Sequence, residues 1–594
     1  MAFGFTGEVS RNLSNYHALD SMRLSIGGTV TGTGLSDLLT GKLTQMIQTG
    51  ENRFDTTSQN VALYVMDTWK VRPRLTVSMS LRWDPSIMPY LKHGGIANFD
   101  YDRFNKGITT QQFKFAPAGW YYPGDPGHPG WRGSHNKFLN FGPRLGLAWD
   151  PTGAGRTSIR ASFAYTYSPV LNYWRQDPGD QNPWVNATRL VSPVGGLDNP
   201  WQGYTYIDPV GAVTTGIPFP TIYGRGFTND GDYTSTPYEM NRPQASTWNL
   251  SVQRQFGKDW LVSASYLGST TTHIWIQEQA NPAKIISPLP PGGAATCGAL
   301  PVTQCSGQDN AQFRRVLYLA RPNDPIRQGV VALLQDAGTM SYNGMVLSAE
   351  KRLSRGTSIQ TNYTWSHCLA DAVDIIADGP DAGESNVIPG NRRFDRGQCP
   401  GDRRHIFNLT GIAQMPRFEG HRRLALVASN WQLSGIHRLS SGQVLNIVAG
   451  SDRALTGQLG FLAAQAYQRA DQVLPNSQAY TPGAGGPMTF WLNPAAFRVP
   501  ALGTFGNYYR NNLTYVPEWS FDMALSRSFR VSESNRFEIR AEAFNVTNSF
   551  RPGPAPVSIA VGASNFNTVS SSTFGQIRTA SDPRIMQFAL KYVF

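Results

Sequence analysis

Strict alternation of apolar and polar residues recurs along this chain and constrains its fold more than any other feature of the sequence. In RLTVSMSLRWD, an extended strand would present one wholly apolar face, made of Leu75, Val77, Met79, Leu81 and Trp83. The same pattern returns in TSIRASFAYTY, STWNLSVQRQF, WSFDMALSRSF and the final RIMQFALKYVF. Because successive side chains of a strand point to opposite faces, these segments predict β-strands that are apolar on one side only.

The last of these strands has the most completely apolar face, which consists of Met586, Phe588, Leu590, Tyr592 and Phe594. The strand stops on the final residue of the chain, and a free carboxylate is costly to bury beside apolar side chains. A soluble core is therefore a poor environment for this face.

The composition favours an all-β protein with long loops. Aromatic residues make up 12% of the 594 residues, charged residues make up 15%, and the chain contains 59 Gly and 40 Pro. Aromatics are typical of strands and Gly and Pro of turns, whereas a disordered chain would lack the aromatics. The mean hydropathy is −0.32, and no run approaches the ~18 consecutive apolar residues of a transmembrane helix.

The positive net charge does not indicate a nucleic-acid partner. Lys and Arg outnumber Asp and Glu by 12, but they are scattered among the strands and turns and form no basic cluster. The opening stretch MAFGFTGEVSRNLSNYHALD also lacks the basic segment and apolar core of a signal peptide.

Two features distinguish a transmembrane barrel from a soluble sandwich, which also alternates. The polar face carries charges in register, as Glu538, Arg540 and Glu542 do in RFEIRAEAF, and such charges suit a water-filled lumen. Aromatic residues also collect at the strand ends, where a membrane barrel has its two girdles: Trp83, Trp149, Tyr167, Trp248, Phe256, Trp519, Phe529 and Phe594. We therefore predict an antiparallel transmembrane β-barrel.

The connections alternate between short and long. Short turns are predicted at 70–74, 150–156, 257–259, 354–356 and 530–535, and long loops at 85–139, 168–243, 270–339, 368–403, 441–516 and 548–583. In outer-membrane barrels the short turns are periplasmic and the long loops extracellular. The pattern predicts about fourteen strands, with a weak one near 42–50 that follows a short helix between Leu35 and Met46.

No enzyme motif is present in the sequence. DPTGAGRTS resembles a phosphate-binding loop but lacks the G-x-x-x-x-G-K-[ST] pattern, and there is no H-E-x-x-H, G-x-S-x-G or C-x-x-C. The sequence therefore predicts neither an enzyme nor a bound cofactor.

The four cysteines lie in two loop pairs, Cys297 with Cys305 and Cys368 with Cys399. Such pairs favour disulfides in an oxidising compartment. A metal site of His367, Cys368, Cys399 and His405 is the alternative, but the spacing matches no familiar zinc pattern, so no metal site is predicted.

Two loop features offer weaker ligand sites. The acidic stretch DAVDIIADGPDAGE would supply oxygen ligands for Ca²⁺ from Asp371, Asp374, Asp378, Asp381 and Glu384, although a solvated loop is favoured because the EF-hand spacing is absent. The loop aromatics would either stack on a ligand or pack the loops together, and packing is preferred for Trp120, Tyr121, Tyr122, Trp131 and Trp201.

Several stretches taken together resemble the barrel of TonB-dependent outer-membrane receptors of the Oar-like group, which have a carboxypeptidase-regulatory-like N-terminal domain. The likeness runs from about Gly34 to Phe594. It is carried by ALYVMDTWKVRPRLTVSMSLRWD, NFGPRLGLAWDPTGAGRTSIRASFAYTYSP, QASTWNLSVQRQFGKDWLVSASYLGS, SYNGMVLSAEKRLSRGTSIQTNYTWSHCLAD and DRRHIFNLTGIAQMPRF, and most strongly by EWSFDMALSRSFRVSESNRFEIRAEAFNVTNSF and FGQIRTASDPRIMQFALKYVF.

The resemblance implies uptake of an unidentified bulky ligand, such as a siderophore, glycan or peptide, across the bacterial outer membrane. Its partners would be outer-membrane lipid, against the apolar face of the last strand, and the barrel assembly machinery, which would read the strand that ends at Phe594. The TonB complex would act only through a plug domain.

Receptors of this kind have a signal peptide, a TonB box, a plug and twenty-two strands. Compared with such receptors, we expect residues 1–40 to be a remnant that is weakly structured or forms a short helix. We expect residues 41–594 to form the barrel. The chain would then be a fragment that is not transport-competent alone. The last strand would then pair with the strand near 42–50, or the sheet would stay open.

Two alternatives remain at this point. One is a passive porin-like channel. The other is a secreted soluble β-protein that binds or hydrolyses glycans, with loop carboxylates as the acid and base.

Overall fold

The structure is a computed structural model. It describes residues 1–16, 22–27, 31, 33–50, 52–92, 96–170, 182–186, 188–219, 226–286, 305–307, 310–354, 356–371, 386–416, 427–457, 468–530, 532, 535–553 and 566–594.

One large sheet dominates the described part of the chain. It contains fourteen long strands, each antiparallel to the next: β1 (Ala2–Tyr16), β2 (Asn52–Arg72), β3 (Leu75–Trp83), β4 (Phe141–Trp149), β5 (Thr157–Tyr167), β6 (Gln244–Phe256), β7 (Trp260–Gln279), β8 (Gln328–Ser354), β9 (Thr357–Ala370), β10 (His405–Gln414), β11 (Trp431–Ser440), β12 (Glu518–Arg530), β13 (Arg536–Phe544) and β14 (Ile585–Val593). The predicted all-β antiparallel fold is confirmed, as is the expectation of about fourteen strands.

The register of the sheet keeps every apolar face on the same side. Leu525 of β12 lies opposite Leu433 of β11 and Ala541 of β13, and Ala541 lies opposite Phe588 of β14. Since a shift of one residue would turn a whole strand over, this register is fixed by the alternation in the sequence. The result is one continuous apolar surface, which we call the lipid face, and an opposite polar surface, which we call the lumen face.

Aromatic side chains on the lipid face form two belts. One belt lies beside the short turns and contains Trp69, Trp149, Phe256, Trp260, Phe529, Phe537 and Tyr592. The other lies beside the long loops and contains Trp83, Phe141, Trp248, Trp365 and Trp519. Two such girdles are typical of outer-membrane barrels, in which they mark the two membrane–water interfaces.

The connections also divide into two sets. Turns at 73–74, 150–156, 257–259, 355–356, 415–430 and 531–535 lie at one end of the sheet, and loops at 17–51, 84–140, 168–243, 280–327, 371–404, 441–517 and 545–584 lie at the other. The predicted loop at 270–339 is too long, because β7 continues to Gln279 and β8 begins at Gln328.

The predicted weak structure at the start of the chain is wrong for Ala2–Tyr16. This segment pairs along its whole length with β2, from Ala2 opposite Met66 to Tyr16 opposite Asn52. Its alternation is diluted by Gly4 and Gly7, and the Tyr64 ring lies over Gly4 where a Cβ atom would stand. The predicted short helix is present at Gly34–Leu39, where the Thr33 side chain accepts a hydrogen bond from the Ser36 amide.

Of the two outcomes expected for the last strand, pairing with the strand near 42–50 is wrong. The weak strand near 42–50 exists as Gln45–Gln48, but it pairs with Arg23–Ser25 and Thr188–Val191 in the loops. Within the described residues β14 pairs with β13 alone and β1 with β2 alone, so the two outer edges of the sheet do not meet there.

The long loops contain the remaining elements. The further short strands are Tyr90–Leu91, Asn98–Phe99, Trp120–Tyr121, Thr205–Ile207, Val213–Thr215, Phe227–Thr228, Gly231–Ser235, Gly397–Gln398, Val444–Leu445, Asp471–Gln472, Phe497–Arg498 and Leu513–Thr514. The other α-helices are Tyr101–Lys106 and Val316–Ala320, and the 3-10 helices are Gly130–Arg132, Ala311–Arg314, Arg392–Asp395, Asn476–Gln478 and Pro494–Ala496. In the described ranges no helix combines the length and apolarity needed to cross a membrane.

The buried apolar core lies in the loops and in the loop-side ends of β7 and β8. One cluster joins the last two long loops and includes Leu445, Tyr508, Leu513 and Phe574, and a second includes Trp120, Tyr122, Phe227 and Tyr233. The lipid face, by contrast, leaves its large apolar side chains exposed along the strands. A water-soluble protein rarely exposes such a continuous apolar surface, which is the normal state of a sheet surrounded by lipid.

Candidate functional site

The described parts of the long loops pack together into a layer at one end of the sheet, and buried ion pairs hold this layer. Arg189 donates from Nη2 to Oδ2 of Asp232 over 2.9 Å, and Arg327 donates to Asp230 over 2.6 Å. Asp230 directly precedes the short strand Gly231–Ser235, and Asp232 lies within that strand. Charges buried in this way must be paired, so the pairs fix the positions of these loops relative to one another.

Most of the loop aromatics hold this layer together. Trp120 stacks on Tyr233 with ring centroids 4.9 Å apart, and its indole N–H donates to Oε1 of Gln328 over 2.7 Å. Tyr122 and Trp201 are buried as well. The buried positions of these residues and of Tyr121 agree with the packing interpretation of the sequence, whereas Trp131 is 37% exposed and does not.

The candidate metal sites are not supported by the described residues. Cys368 and Cys399 form a disulfide, so neither sulfur is a free thiolate ligand. Asp371 accepts hydrogen bonds from the amide and hydroxyl of Thr339 and contacts Arg392, which gives it a structural role. The rest of the predicted acidic set, Asp374, Asp378, Asp381 and Glu384, lies outside the described residues, within which no cluster of three or more His, Cys, Asp or Glu is arranged for a metal.

Only one of the two cysteines of the second predicted disulfide lies among the described residues. Cys305 is disulfide-bonded, and Cys297 lies outside the described residues. The pairing of Cys297 with Cys305 stays a prediction.

The predicted assembly signal lies on the lipid face of β14. Met586, Phe588, Leu590, Tyr592 and Phe594 are all exposed, and the Tyr592 ring lies 4.7 Å from that of Phe537 on β13. This exposure leaves the face accessible to lipid or to another protein. The role of the face in assembly stays a prediction.

The lumen face carries the predicted polar groups. Glu538, Arg540 and Glu542 lie on it, and Arg540 Nη2 is 2.5 Å from Oε1 of Glu542. Further along, Asn408 donates from its amide to the side-chain oxygen of Asn362 over 2.9 Å. Polar cross-strand contacts of this kind are expected where a sheet faces water.

A pocket of about 590 Å³ lies where the lumen face meets the loops. Its floor is formed by the long-loop ends of β10, β11 and β12, in two cross-strand rows. Arg438 lies between Asn408 and Ser520 in one row, and Ser440 lies between Ile406 and Glu518 in the other. The loops supply the walls, which include Arg403, Gln443, Gly485, Phe550, Arg551 and Ser581.

The pocket is positively charged because it holds three arginines and one carboxylate, that of Glu518. Arg403 donates to Oε1 of Glu518 and to Oγ of Ser440, each over 2.7 Å. Arg438 is exposed and has no hydrogen-bond or ion-pair partner among the described residues. The sequence analysis did not predict this pocket. The alternation in IHRLS does place Arg438 on the polar, lumen-facing side of its strand, which was the one available indication.

A family model described as outer membrane beta barrel domain matches residues 1–587. The chain belongs to this family. This outer-membrane barrel is accordingly located in the bacterial outer membrane, which confirms the predicted location and contradicts the alternative of a secreted soluble protein.

Solved structures of outer-membrane receptors are similar to this barrel at low identity. The siderophore receptor PiuA from Acinetobacter baumannii has 10% identity and a TM-score of 0.37, over 91% of this chain and 44% of that one. The ferric-catecholate import receptor Fiu from Escherichia coli K12 has 10% identity and a TM-score of 0.35, over 100% and 54%. The barrel thus spans about half the length of these structures. A search of curated proteins gave no match.

Proposed function

We propose that this chain is the barrel of a TonB-dependent receptor that takes up an unidentified bulky ligand. The order of family-like stretches along the sequence supports a receptor, and the packed loop layer supports it more directly. The described parts of the loops bury their own apolar core, and we take them to lie across the path that an open diffusion pore would leave clear.

The three surfaces of the molecule then have separate roles. The lipid face holds the sheet in the membrane, the lumen face provides a polar path, and the loop layer with its pocket makes the first contact with the ligand. We propose no enzymatic activity and no cofactor for this barrel.

The proposal includes an orientation, with the loop layer outside the cell and the short turns in the periplasm. A cysteine tag inserted at Gly124, in a long loop, should react with a membrane-impermeant thiol reagent on intact cells. A tag at Ser532, in a short turn, should react only after the outer membrane is permeabilised. The opposite labelling pattern would refute this orientation.

The uptake proposal is tested by ligand depletion, because the ligand is not known in advance. Because the TonB complex would act through a plug domain, cells producing this barrel joined to a plug domain are grown in a complex medium. The compounds that disappear from the medium are measured by mass spectrometry with and without a functional TonB complex. We expect at least one compound to be depleted only when TonB is functional. Equal depletion in both strains would favour the passive porin-like channel instead.

Bilayer conductance provides an independent control for that alternative. The purified protein in a planar bilayer should show no steady ion current, because in this proposal the loop layer closes the path through the barrel. A stable open conductance would contradict the receptor proposal.

A further inference from the structure

We propose that the pocket at the long-loop ends of β10, β11 and β12 binds an anionic group of the ligand, a carboxylate or a phosphate. This proposal rests on the proposed receptor function and names the ligand chemistry that the receptor would select. It follows from the side chains that converge on the pocket.

Arg438 is the central group of the proposed site. Its guanidinium lies on the lumen face, with the amide of Asn408 on one neighbouring strand and the hydroxyl of Ser520 on the other. Guanidinium, amide and hydroxyl groups all donate hydrogen bonds, and the planar guanidinium matches the two oxygens of a carboxylate or phosphate. No partner within the described residues occupies this guanidinium.

Arg551 approaches the same pocket from the loop between β13 and β14. Its Nη2 donates to the Asp582 carbonyl over 2.9 Å, but its Nε–H is buried and has no acceptor among the described residues. Its positive charge lies in the wall of the pocket, where it attracts an anionic group.

Arg403 also carries a positive charge in the pocket, but its guanidinium already has hydrogen-bond partners. It is held by Glu518 and Ser440, so the carboxylate of Glu518 neutralises one arginine, and the other residues that line the pocket supply no carboxylate for Arg438 and Arg551. An anionic ligand would balance them, whereas a cationic ligand would be repelled.

The size and the remaining walls of the pocket limit the ligand group further. A volume of about 590 Å³ is typical of sites for small molecules. Phe550 and Ile406 provide apolar contacts beside the arginines. The site therefore suits a compact anionic group on an apolar body.

The test uses a rigid anion and a neutral molecule of similar shape. Binding of benzene-1,3,5-tricarboxylate and of benzene-1,3,5-trimethanol to the full chain in detergent is measured by isothermal titration calorimetry. We expect the tricarboxylate to bind and the trimethanol to bind at least tenfold more weakly, because each charge-assisted hydrogen bond is worth about tenfold or more in affinity.

Variants then locate the site. Arg438→Gln and Arg551→Gln should each weaken tricarboxylate binding about tenfold or more, and Arg438→Lys should weaken it less. Arg160→Gln is the matched control, because Arg160 is an exposed arginine on the lumen face of β5, away from the pocket, and this change should leave the affinity within about twofold. Circular dichroism and protease resistance verify that each variant is folded.

Three results would overturn the site: no tricarboxylate binding by the unaltered chain, equal binding of both probes, or an equal loss of affinity in Arg160→Gln. Failure of the receptor proposal can be distinguished from failure of the site. The receptor is tested by depletion with and without TonB, whereas calorimetry tests the site and needs no TonB complex. If depletion does not depend on TonB but anion binding depends on the arginines, the receptor proposal is refuted and the proposed site is supported. If TonB-dependent depletion persists in the Arg438 and Arg551 variants, the receptor proposal is supported and the proposed site is refuted.

Discussion

Arg469 and Asp395 form an ion pair buried inside the loop layer, with Nη1 and Oδ1 2.8 Å apart and side chains that are 1% and 0% exposed. Arg469 also donates to the carbonyl of Phe394 over 2.6 Å and lies 3.8 Å above its ring. The pair joins the loop after β9 to the loop after β11. Burial raises the pKa of Asp395 despite the arginine and lowers the pKa of Arg469.

Removing this arginine should loosen both loops. Arg469→Met leaves the carboxylate of Asp395 buried without its partner, which costs about 3–5 kcal/mol. Arg498→Met is the matched control, because Arg498 pairs with Asp471 over 3.2 Å but is 70% exposed, and it should cost about 0–1 kcal/mol. Hydrogen exchange of the two loops measures the free energy of local opening. Equal effects of the two variants would show that the buried pair does not fix the loops.

The loop around His128 should become less stable in mild acid. His128 Nδ1 accepts a hydrogen bond from the Gly130 amide over 3.0 Å, and the ring lies against Tyr121 and Tyr238. Burial lowers the pKa of His128 to about 4, although Asp125 acts in the opposite direction. The unfolded loop therefore binds more protons between about pH 6.5 and 4, so stability is lost as the pH falls through that window.

This pH effect is measured by hydrogen exchange of residues 120–133 at pH 7.5 and pH 5, corrected for intrinsic exchange rates. His128→Phe should remove most of the difference, because the titrating group is absent. His135→Gln should not, since His135 is exposed and pairs with Glu239 over 2.8 Å. The same pH response in the unaltered chain and in His128→Phe would contradict the assignment.

The strands were predictable because membrane and lumen impose the period-two alternation on each segment separately. RLTVSMSLRWD and WSFDMALSRSF carry that pattern within themselves, so their faces were assigned without knowledge of their neighbours. Pairing partners were not predictable in the same way. Gln45–Gln48 is an adequate strand by pattern, but it pairs with short strands of the loops, whereas the glycine-diluted Ala2–Tyr16 pairs with the long strand β2.

For the pocket too, the local pattern was predictable from the sequence and the long-range contacts were not. Arg438 and Arg551 are more than a hundred residues apart and meet only because the register of β10, β11 and β12 and the returning loop bring them together. The pattern of the sequence placed Arg438 on the lumen face. The convergence of three arginines depends on long-range packing, which no local pattern encodes.

The disulfide between Cys368 and Cys399 should stabilise the loop after β9. It closes a separation of 31 residues, which corresponds to about 3–4 kcal/mol of lost unfolded-state entropy, and Cys368→Ser should remove that stabilisation. Mass mapping of non-reduced peptides should find this bond and the predicted one between Cys297 and Cys305. Free thiols at all four positions in protein from the cell envelope would contradict both.

Deleting Phe594 should reduce assembly of the barrel. Phe594 is 90% exposed, so its loss removes little packing and acts through recognition of the last strand. Phe3→Ala is the matched control, because Phe3 is 87% exposed at the opposite edge of the sheet. Assembly is measured as the amount of protease-resistant protein in outer-membrane fractions, and we expect a several-fold loss for the deletion alone. Equal yields would remove the role given to Phe594.

The central claim is that one face of the sheet lies in lipid and the other in water, and a spin-label scan of β6 tests it most directly. Single cysteines at positions 248 to 253 are labelled in the membrane-embedded protein, and collision with oxygen, which enters lipid, is compared with collision with a water-soluble nickel complex. Oxygen accessibility should be high at Trp248, Leu250 and Val252, and nickel accessibility should be high at Asn249, Ser251 and Gln253. The same accessibility at adjacent positions, or nickel contact along both faces, would contradict a membrane-spanning sheet.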